Sequence, residues 1–173
     1  MILILFGFKG SGKNHFGKLL AKELGRRFID TDDLLIELDG KKRTAKEIYA
    51  ELGEKGFREL EKRTVHSLKG VENAVIALGG GAVLDPESVD FLLKLGEMIY
   101  LDAPPDTLKK RIFRDELPAF MNGTDDFLRI YQERRPIYES IPARRIRTGE
   151  LDEAGVLAAL RSILLLEDLP NGF

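Results

Sequence analysis

A glycine-rich stretch near the amino terminus has the composition and spacing of a phosphate-binding loop. Residues 7–14 (GFKGSGKN) follow the apolar run 2–6 and match G-x-x-x-x-G-K-[ST] up to the last position. In such a loop, backbone N–H groups converge on phosphate oxygens and the Lys reaches the β- and γ-phosphates. Asn14 stands where a hydroxyl would bind Mg²⁺, so the loop predicts a nucleotide site with an altered metal ligand. The alternative is a turn that merely joins a strand to a helix.

Three carboxylates follow the second predicted strand. They are Asp30, Asp32 and Asp33. Side chains alternate in an extended segment, so Asp30 and Asp32 are expected to point the same way and Asp33 elsewhere. Such carboxylates can hold hydrated Mg²⁺ or accept a hydrogen bond from a substrate hydroxyl. The alternative is helix capping and solvation after a strand.

A triple glycine and two arginines are candidates for substrate contacts. Gly79-Gly80-Gly81 ends an apolar strand and would let the backbone approach a ligand closely. Its alternative is a flexible connector. Arg58 and Arg134 suit a bidentate clamp on a carboxylate or phosphate. For either arginine alone the alternative is a surface ion pair, such as Arg58 with Glu61 on one helix face.

A basic run borders a polar stretch that interrupts the regular elements. Lys109-Lys110-Arg111 and Arg114 precede residues of about 114–126, which are predicted to form a mobile lid that orders when ligands bind. The alternative for the basic run is a solvated helix face. His15 and His66 show no metal-ligand pattern and are expected to be structural or solvated.

Strands and helices are predicted to alternate along the chain. The capping-box spacing of Thr44 and Glu47 opens one helix, and Arg134-Arg135-Pro136 is expected to end another. Alternation requires a parallel sheet covered on both faces, with ligands beyond the carboxyl ends of its strands. The three glycine- and Asp-rich features should therefore converge. The predicted strands are 2–6, 26–29, 73–78, 98–101 and 144–147, and the predicted helices are 13–24, 34–38, 44–52, 55–68, 85–95, 106–113, 127–132 and 152–166.

Composition narrows the class of protein. The 173 residues predict one domain (1–173) with a sizeable core. A net charge of −2 gives no general reason to bind nucleic acid or an anionic membrane. The chain has no Cys, which excludes disulfides and thiolate chemistry and fits a reducing cytosol. No apolar run approaches about 18 residues. We expect a cytoplasmic protein, monomeric, that acts on a small molecule.

The motifs together resemble the shikimate kinase family. Residues 7–13, 28–32, 53–58, 78–83 and 134–138 occur in the family's order and spacing, and the resemblance covers most of the chain. It implies a three-layer αβα P-loop NTPase domain, like that of nucleoside monophosphate kinases, with a mobile lid. It also implies a Mg·ATP-dependent enzyme that phosphorylates the 3-hydroxyl of shikimate.

The same resemblance assigns roles to residues. Lys13 and Asp32 are expected to be catalytic, with Asp32 orienting the 3-hydroxyl. Asn14 and the water shell at Asp30 are expected to hold the metal, and Tyr49 is expected to lie near the substrate ring. The expected shikimate contacts are Asp32, Phe57, Arg58, Gly79, Gly80, Gly81 and Arg134, and the expected ATP contacts are Gly10, Ser11, Gly12, Lys13, Asn14, His15 and Lys110.

Departures from the family pattern leave alternatives open. Asn14 and His15 replace hydroxyl residues, although an amide oxygen is also a ligand for hard cations. In the lid, Leu117-Pro118 replaces an Arg-Pro pair, so that Lys110, Arg111 or Arg114 would have to supply the charge. Arg147 replaces a usual Asp near the adenine end. Two alternatives follow: a related kinase for another hydroxylated acid or a nucleotide, and a nucleotide- or metabolite-binding protein with little catalysis.

Overall fold

A parallel five-stranded sheet lies at the centre of the protein. The structure is a computed structural model that describes residues 1–114, 121 and 123–167. The strand order is β2-β3-β1-β4-β5, and every pair is parallel. The predicted α/β class is confirmed. The strands are β1 (Leu3–Phe6), β2 (Arg27–Asp30), β3 (Ala74–Ala77), β4 (Glu97–Asp102) and β5 (Arg144–Arg147).

Helices cover both faces of the sheet, because neighbouring residues of a strand point to opposite faces. Leu3 and Leu5 of β1 pack with the helices α1 and α7, whereas Ile4 and Phe6 pack with α4, α5 and α6. A smaller cluster joins α2 to α3. These contacts give the predicted three layers. The helices are α1 (Lys13–Glu23), α2 (Thr31–Asp39), α3 (Ala45–His66), α4 (Pro86–Leu95), α5 (Pro105–Arg114), α6 (Thr124–Ser140) and α7 (Glu153–Glu167).

Local signals in the sequence set most helix starts. The capping box of Thr44 and Glu47 at the start of α3 is confirmed, and so are the Asp85 cap and first-turn proline of α4. The predicted gap near Gly53 is a kink inside α3, where this glycine has a left-handed φ of 66°. Helix α2 begins at Thr31, earlier than predicted, because the side chain of Asp30 caps it.

The predicted end of the helix at Pro136 was wrong. Helix α6 runs through this proline to Ser140, although an interior proline costs about 3 kcal/mol or more. Phe127 and Ile130 before the proline and Tyr138 after it are all buried in the same core. Packing on both sides of Pro136 therefore outweighs its local cost.

Part of the predicted lid falls outside the described residues. Leu117 and Pro118 are in that part, whereas Arg114 and Met121 are described. The lid and its closure stay predictions. Within the described ranges, none of the helices has the length and apolar character needed to cross a bilayer.

Candidate active site

A cavity of about 820 Å³ lies beyond the carboxyl ends of the central strands. This is where ligands bind in open parallel sheets. Its lining joins the glycine-rich loop to the Asp cluster, the triple glycine, and the end of α5. The predicted residues that line it are Gly10, Gly12, Lys13, Asn14, His15, Asp30, Asp32, Phe57, Gly80, Gly81 and Arg134.

The loop between β1 and α1 directs a helix amino terminus at this cavity. Gly12 is the N-cap residue of α1 with a φ of 98°, and a Cβ there would come within 2.9 Å of the Phe16 ring. Glycine is therefore required at this position. Ser11 is fully buried, and its N–H donates to the Phe8 carbonyl at 3.1 Å. The Ser11 side chain is not among those that line the cavity.

Lys13 is a buried cation at the floor of the loop. Its Nζ donates to the carbonyl oxygens of Gly7 and Phe8, both at 3.0 Å. Burial lowers the pKa of Lys13 to about 8, although Asp32 and Asp30 oppose this shift. Phosphate oxygens at the loop would favour the charged form.

Asp30 links the loop to α2. Its Oδ1 accepts the Asp32 N–H at 2.9 Å, which caps the helix, and its Oδ2 accepts a hydrogen bond from the Asn14 amide. The capping alternative for Asp30 is therefore confirmed, and Asp30 also lines the cavity. The expected alternation of side chains was wrong, because Asp32 lies in the first turn of α2 and not in a strand. Asp30 and Asp32 nevertheless both line the cavity, and Asp33 does not.

Asp32 has the electrostatics of a proton acceptor. Asp32 is an exposed residue of the cavity lining, but the protein around its carboxylate displaces part of the water. This desolvation raises the pKa of Asp32, and the charge of Asp30 adds to the effect, whereas Lys13 opposes it. A raised pKa makes a carboxylate a better base while it stays ionised.

The triple glycine brings the predicted substrate-binding side chains together. A Cβ on Gly79 would collide with the Asp32 carboxylate, and one on Gly81 with the Arg58 guanidinium. Between them, a Cβ on Gly80 would lie 3.6 Å from Nη1 of Arg134. Gly79 and Gly81 are thus glycine because polar side chains pack directly against the turn, whereas a Cβ at Gly80 would make only an ordinary contact.

Arg58 and Glu61 form an ion pair within α3. This pair was the surface alternative for Arg58, but Glu61 is 9% exposed and lines the cavity, whereas Arg58 itself is not in the lining. Burial raises the pKa of Glu61, while Arg58 and then Arg134 act against the shift. Phe57 is buried on the cavity wall, with the Arg58 guanidinium 5.9 Å from its ring centre. Tyr49 packs edge-on against Phe57 at 5.5 Å.

Tyr138 supports the triple glycine from α6. Its hydroxyl donates to the Gly80 carbonyl at 2.7 Å, and it is hydrogen-bonded to Arg134. Arg134 itself is 8% exposed and lines the cavity. On the other side, the Thr31 hydroxyl accepts the Gly79 N–H at 2.8 Å. Tyr138 belongs to the 134–138 motif and Thr31 to the 28–32 motif, but neither side chain was predicted to contact the triple glycine.

The basic side chains of α5 point to different sides of the helix. Lys110, predicted to contact ATP, is exposed and does not line the cavity. Arg111 and Arg114 line it instead, and Nη1 of Arg111 donates to the Gly10 carbonyl at 2.8 Å. Adjacent residues of a helix point in different directions, which corrects the choice of Lys110. Arg147 is exposed, pairs with Glu150 at 3.5 Å and faces a separate groove.

His15 is in the cavity lining, but its partner was missed. Its Nε2 lies 2.6 Å from Oε2 of Glu153, at the start of α7. These residues are 138 positions apart, and no local pattern connects them. Glu153, Thr148 and Leu151 form the part of the lining contributed by the end of the chain.

The oxygen-rich end of the loop fits Mg²⁺. The Asn14 side chain contacts Asp30, so the two predicted metal residues lie together in the cavity lining, which also includes Lys13. Among the residues with described placement, no group of three or more His, Cys, Asp or Glu could hold a metal. Mg²⁺ does not need such a cage, because it is held by one or two carboxylates, waters and substrate phosphates.

The fold and the cavity define a P-loop phosphotransferase: a parallel sheet, a phosphate loop with a buried Lys, and an adjacent carboxylate. A family model for shikimate kinase matches residues 9–164. The chain is 40% identical over 165 residues to a shikimate kinase of Symbiobacterium thermophilum, covering 92% of this chain and 94% of that protein. It is 38% identical over 149 residues to one of Persephonella marina, covering 86% and 90% respectively.

A solved structure gives the same result. The shikimate kinase of Acinetobacter baumannii in complex with shikimate superposes with a TM-score of 0.84 at 27% identity, covering 97% of this chain and 94% of that one. The chain belongs to the shikimate kinase family. It is an ATP-dependent kinase that acts on a hydroxyl group of a small molecule.

Proposed function

We propose that the protein phosphorylates the 3-hydroxyl of shikimate, with Asp32 as the residue that orients this hydroxyl. The observation that carries the proposal is the turn Gly79–Gly81, against which Asp32, Arg134 and Arg58 pack in succession. A proton acceptor beside two guanidinium groups suits a molecule with both a hydroxyl and a carboxylate. The Acinetobacter relative was solved with shikimate, which supports the assignment.

The substrate end of the cavity would recognise shikimate by charge and shape. Arg58 and Arg134 would bind the carboxylate, since arginine donates two parallel hydrogen bonds to such a group. Phe57 would contact the ring, and the Gly80 backbone would approach it closely. Because Arg134 is hydrogen-bonded to Tyr138, it is held in place before the substrate arrives. The buried Glu61 carboxylate holds Arg58 in the same way.

Phosphoryl transfer needs positioning and neutralised charge more than covalent help from the protein. The loop amides and Lys13 would bind the ATP phosphates. The 3-hydroxyl oxygen would form a bond to the γ-phosphorus while the bond to the β-phosphate oxygen breaks. Asp32 would hold the attacking hydroxyl in line and accept its proton. Its raised pKa favours this role.

Asn14 and Asp30 would hold Mg²⁺, the first through its amide oxygen and the second through the water shell. When bound, the ion would neutralise charge on the phosphates. The Asn14 amide donates to Asp30 through its nitrogen, which leaves the amide oxygen for the cation. An amide oxygen is an ordinary ligand of hard cations.

We further propose that the protein acts as a monomer in the cytoplasm. One chain brings the phosphate loop, the proton acceptor Asp32 and the carboxylate-binding Arg134 to a single cavity, so these parts of the site would need no second copy. Light scattering coupled to gel filtration would test the first statement. A fluorescent fusion imaged in the native cell would test the second.

The test is a coupled assay for ADP with purified protein, Mg·ATP and shikimate. We expect turnover with wild type and a loss of at least about 100-fold in kcat for Asp32→Asn, since general-base assistance contributes that much or more. Asp33→Asn is the matched control, because the neighbouring carboxylate does not line the cavity. It should retain activity. Arg58→Ala should raise KM for shikimate. Folded wild-type protein that releases no ADP would refute the proposal.

A further inference from the structure

Two pairs of polar side chains join the helices α1 and α7 on one face of the sheet. Nε2 of His15 lies 2.6 Å from Oε2 of Glu153, and Nε and Nη2 of Arg161 donate to the Glu23 carboxylate at 2.5 and 2.8 Å. The second pair lies eight residues further along both helices. The helices therefore run in the same direction, and the pairs are about 12 Å apart at 1.5 Å per residue.

Only the first pair borders the active-site cavity in the described part of the chain. His15 and Glu153 line it, together with Thr148 and Leu151. These residues follow β5, which lies on the other side of β1 from β2 and β3, whose carboxyl ends carry the proposed shikimate end. A nucleotide with its phosphates on the glycine-rich loop must extend its ribose and base away from the phosphoryl acceptor. The wall formed by residues 148–153 is therefore the nucleoside end.

The nucleoside wall is fixed at its two ends. At its start, the Thr148 N–H donates to the Asp102 carbonyl at 2.8 Å. At its end, Glu153 reaches His15. Between them lies Leu151, an apolar side chain that is 43% exposed and lines the cavity. Without the contact at Glu153, the start of α7 would lose its side-chain contact with the phosphate-loop helix beside the cavity, while Thr148 would stay bonded to β4.

We propose that His15 and Glu153 are a positioning pair for the nucleotide: their contact holds residues 148–153 against the phosphate-loop helix. The proposal rests on the proposed function, because it needs a nucleotide in this cavity. Both side chains are more than half exposed, at 55% and 62%. A side-chain pair as exposed as this one contributes little to stability. Its effect should therefore appear in nucleotide affinity rather than in the free energy of unfolding.

The matched control is the second pair, which joins the same two helices and is also partly exposed. Titration calorimetry would compare Glu153→Gln and His15→Gln with Glu23→Gln, using Mg·ADP and shikimate as separate ligands. We expect the two cavity variants to weaken Mg·ADP binding by about threefold to fivefold, the range that an exposed pair can supply. Shikimate affinity should not change in any variant, and the control should bind both ligands like wild type.

A double variant, His15→Gln with Glu153→Gln, separates positioning from independent contacts. If the residues act through each other, the double variant binds Mg·ADP no more weakly than either single variant. Effects that multiply would overturn the proposal. Equal weakening by Glu23→Gln would do so as well, since it would reveal general helix packing.

Different results would refute the nucleotide site and the positioning pair. Wild-type protein that binds shikimate but no nucleotide would overturn the nucleotide site, and the positioning pair with it. Wild type that binds Mg·ADP and is matched by Glu153→Gln would overturn the pair alone. Circular dichroism of each variant would establish that it is folded.

Discussion

Asp30 has two structural tasks that a pair of substitutions can separate. Its Oδ1 caps α2 through the Asp32 N–H, and its Oδ2 meets Asn14 beside the phosphate loop. Loss of an N-cap costs about 0.5–2 kcal/mol. In a domain of this size, 1 kcal/mol shifts Tm by about 2–4 °C. Asp30→Ala should therefore lower Tm by about 1–8 °C. Asp30→Asn should lower it less, because Asn is an equally good N-cap residue.

The assays are thermal unfolding by circular dichroism and calorimetry of ADP with and without Mg²⁺. Both variants should lose the gain in ADP affinity that Mg²⁺ gives to wild type, because both lack the carboxylate. Binding of metal-free ADP should not weaken. If Asp30→Asn unfolds as early as Asp30→Ala, the capping account is wrong. If either variant keeps the full Mg²⁺-dependent gain, Asp30 does not hold the metal.

Three further predictions concern the substrate end and the charges of the site. Gly81→Ala would displace the side-chain ends of Arg58 and Glu61, so KM for shikimate should rise by at least about tenfold in steady-state assays while urea unfolding changes little. Tyr138→Phe would leave the Gly80 carbonyl without its 2.7 Å hydrogen bond, which should lower the free energy of unfolding by about 1–3 kcal/mol in urea titrations. In a plot against pH, kcat/KM for ATP should rise as Asp32 ionises, at a pKa raised above its usual value. It should fall above about pH 8, where Lys13 loses its proton. A profile that stays flat well above pH 8 would contradict the role of Lys13.

Elements with local signals could be predicted from the sequence. The phosphate loop, the capping box at Thr44 and the apolar strands follow from residue type and short spacing, and the structure has them. Pro136 shows the limit, because its cost is local but the packing of Phe127 and Tyr138 that outweighs it is not. The predicted start of α2 was wrong for a related reason. Asp30 was considered as a metal ligand and as a helix cap, but this one residue both ends β2 and caps α2, so the helix begins directly after the strand.

Most of the residues that line the site could be predicted from the sequence, but the direction in which a helical side chain points could not. Most of the predicted residues line one cavity because the motifs end parallel strands. The predicted contacts outside the lining are Ser11, Arg58, Gly79 and Lys110. For Lys110 the reason is that spacing alone could not decide which face of α5 meets the loop. The partners of site residues were harder still. Thr31 with Gly79 and His15 with Glu153 are contacts between distant segments, and only the folded chain brings them together.

Asn14 is therefore more than a replaced metal ligand. Through its amide it contacts Asp30, which caps the helix that carries Asp32, and the neighbouring Thr31 holds the first glycine of the substrate turn. A serine at position 14 would restore the hydroxyl of the usual loop, but its shorter side chain would give up the contact with Asp30. Side-chain contacts of Asn14, Asp30 and Thr31 therefore link the phosphate loop to the substrate end. They begin at Asn14, the position where the loop departs from the motif.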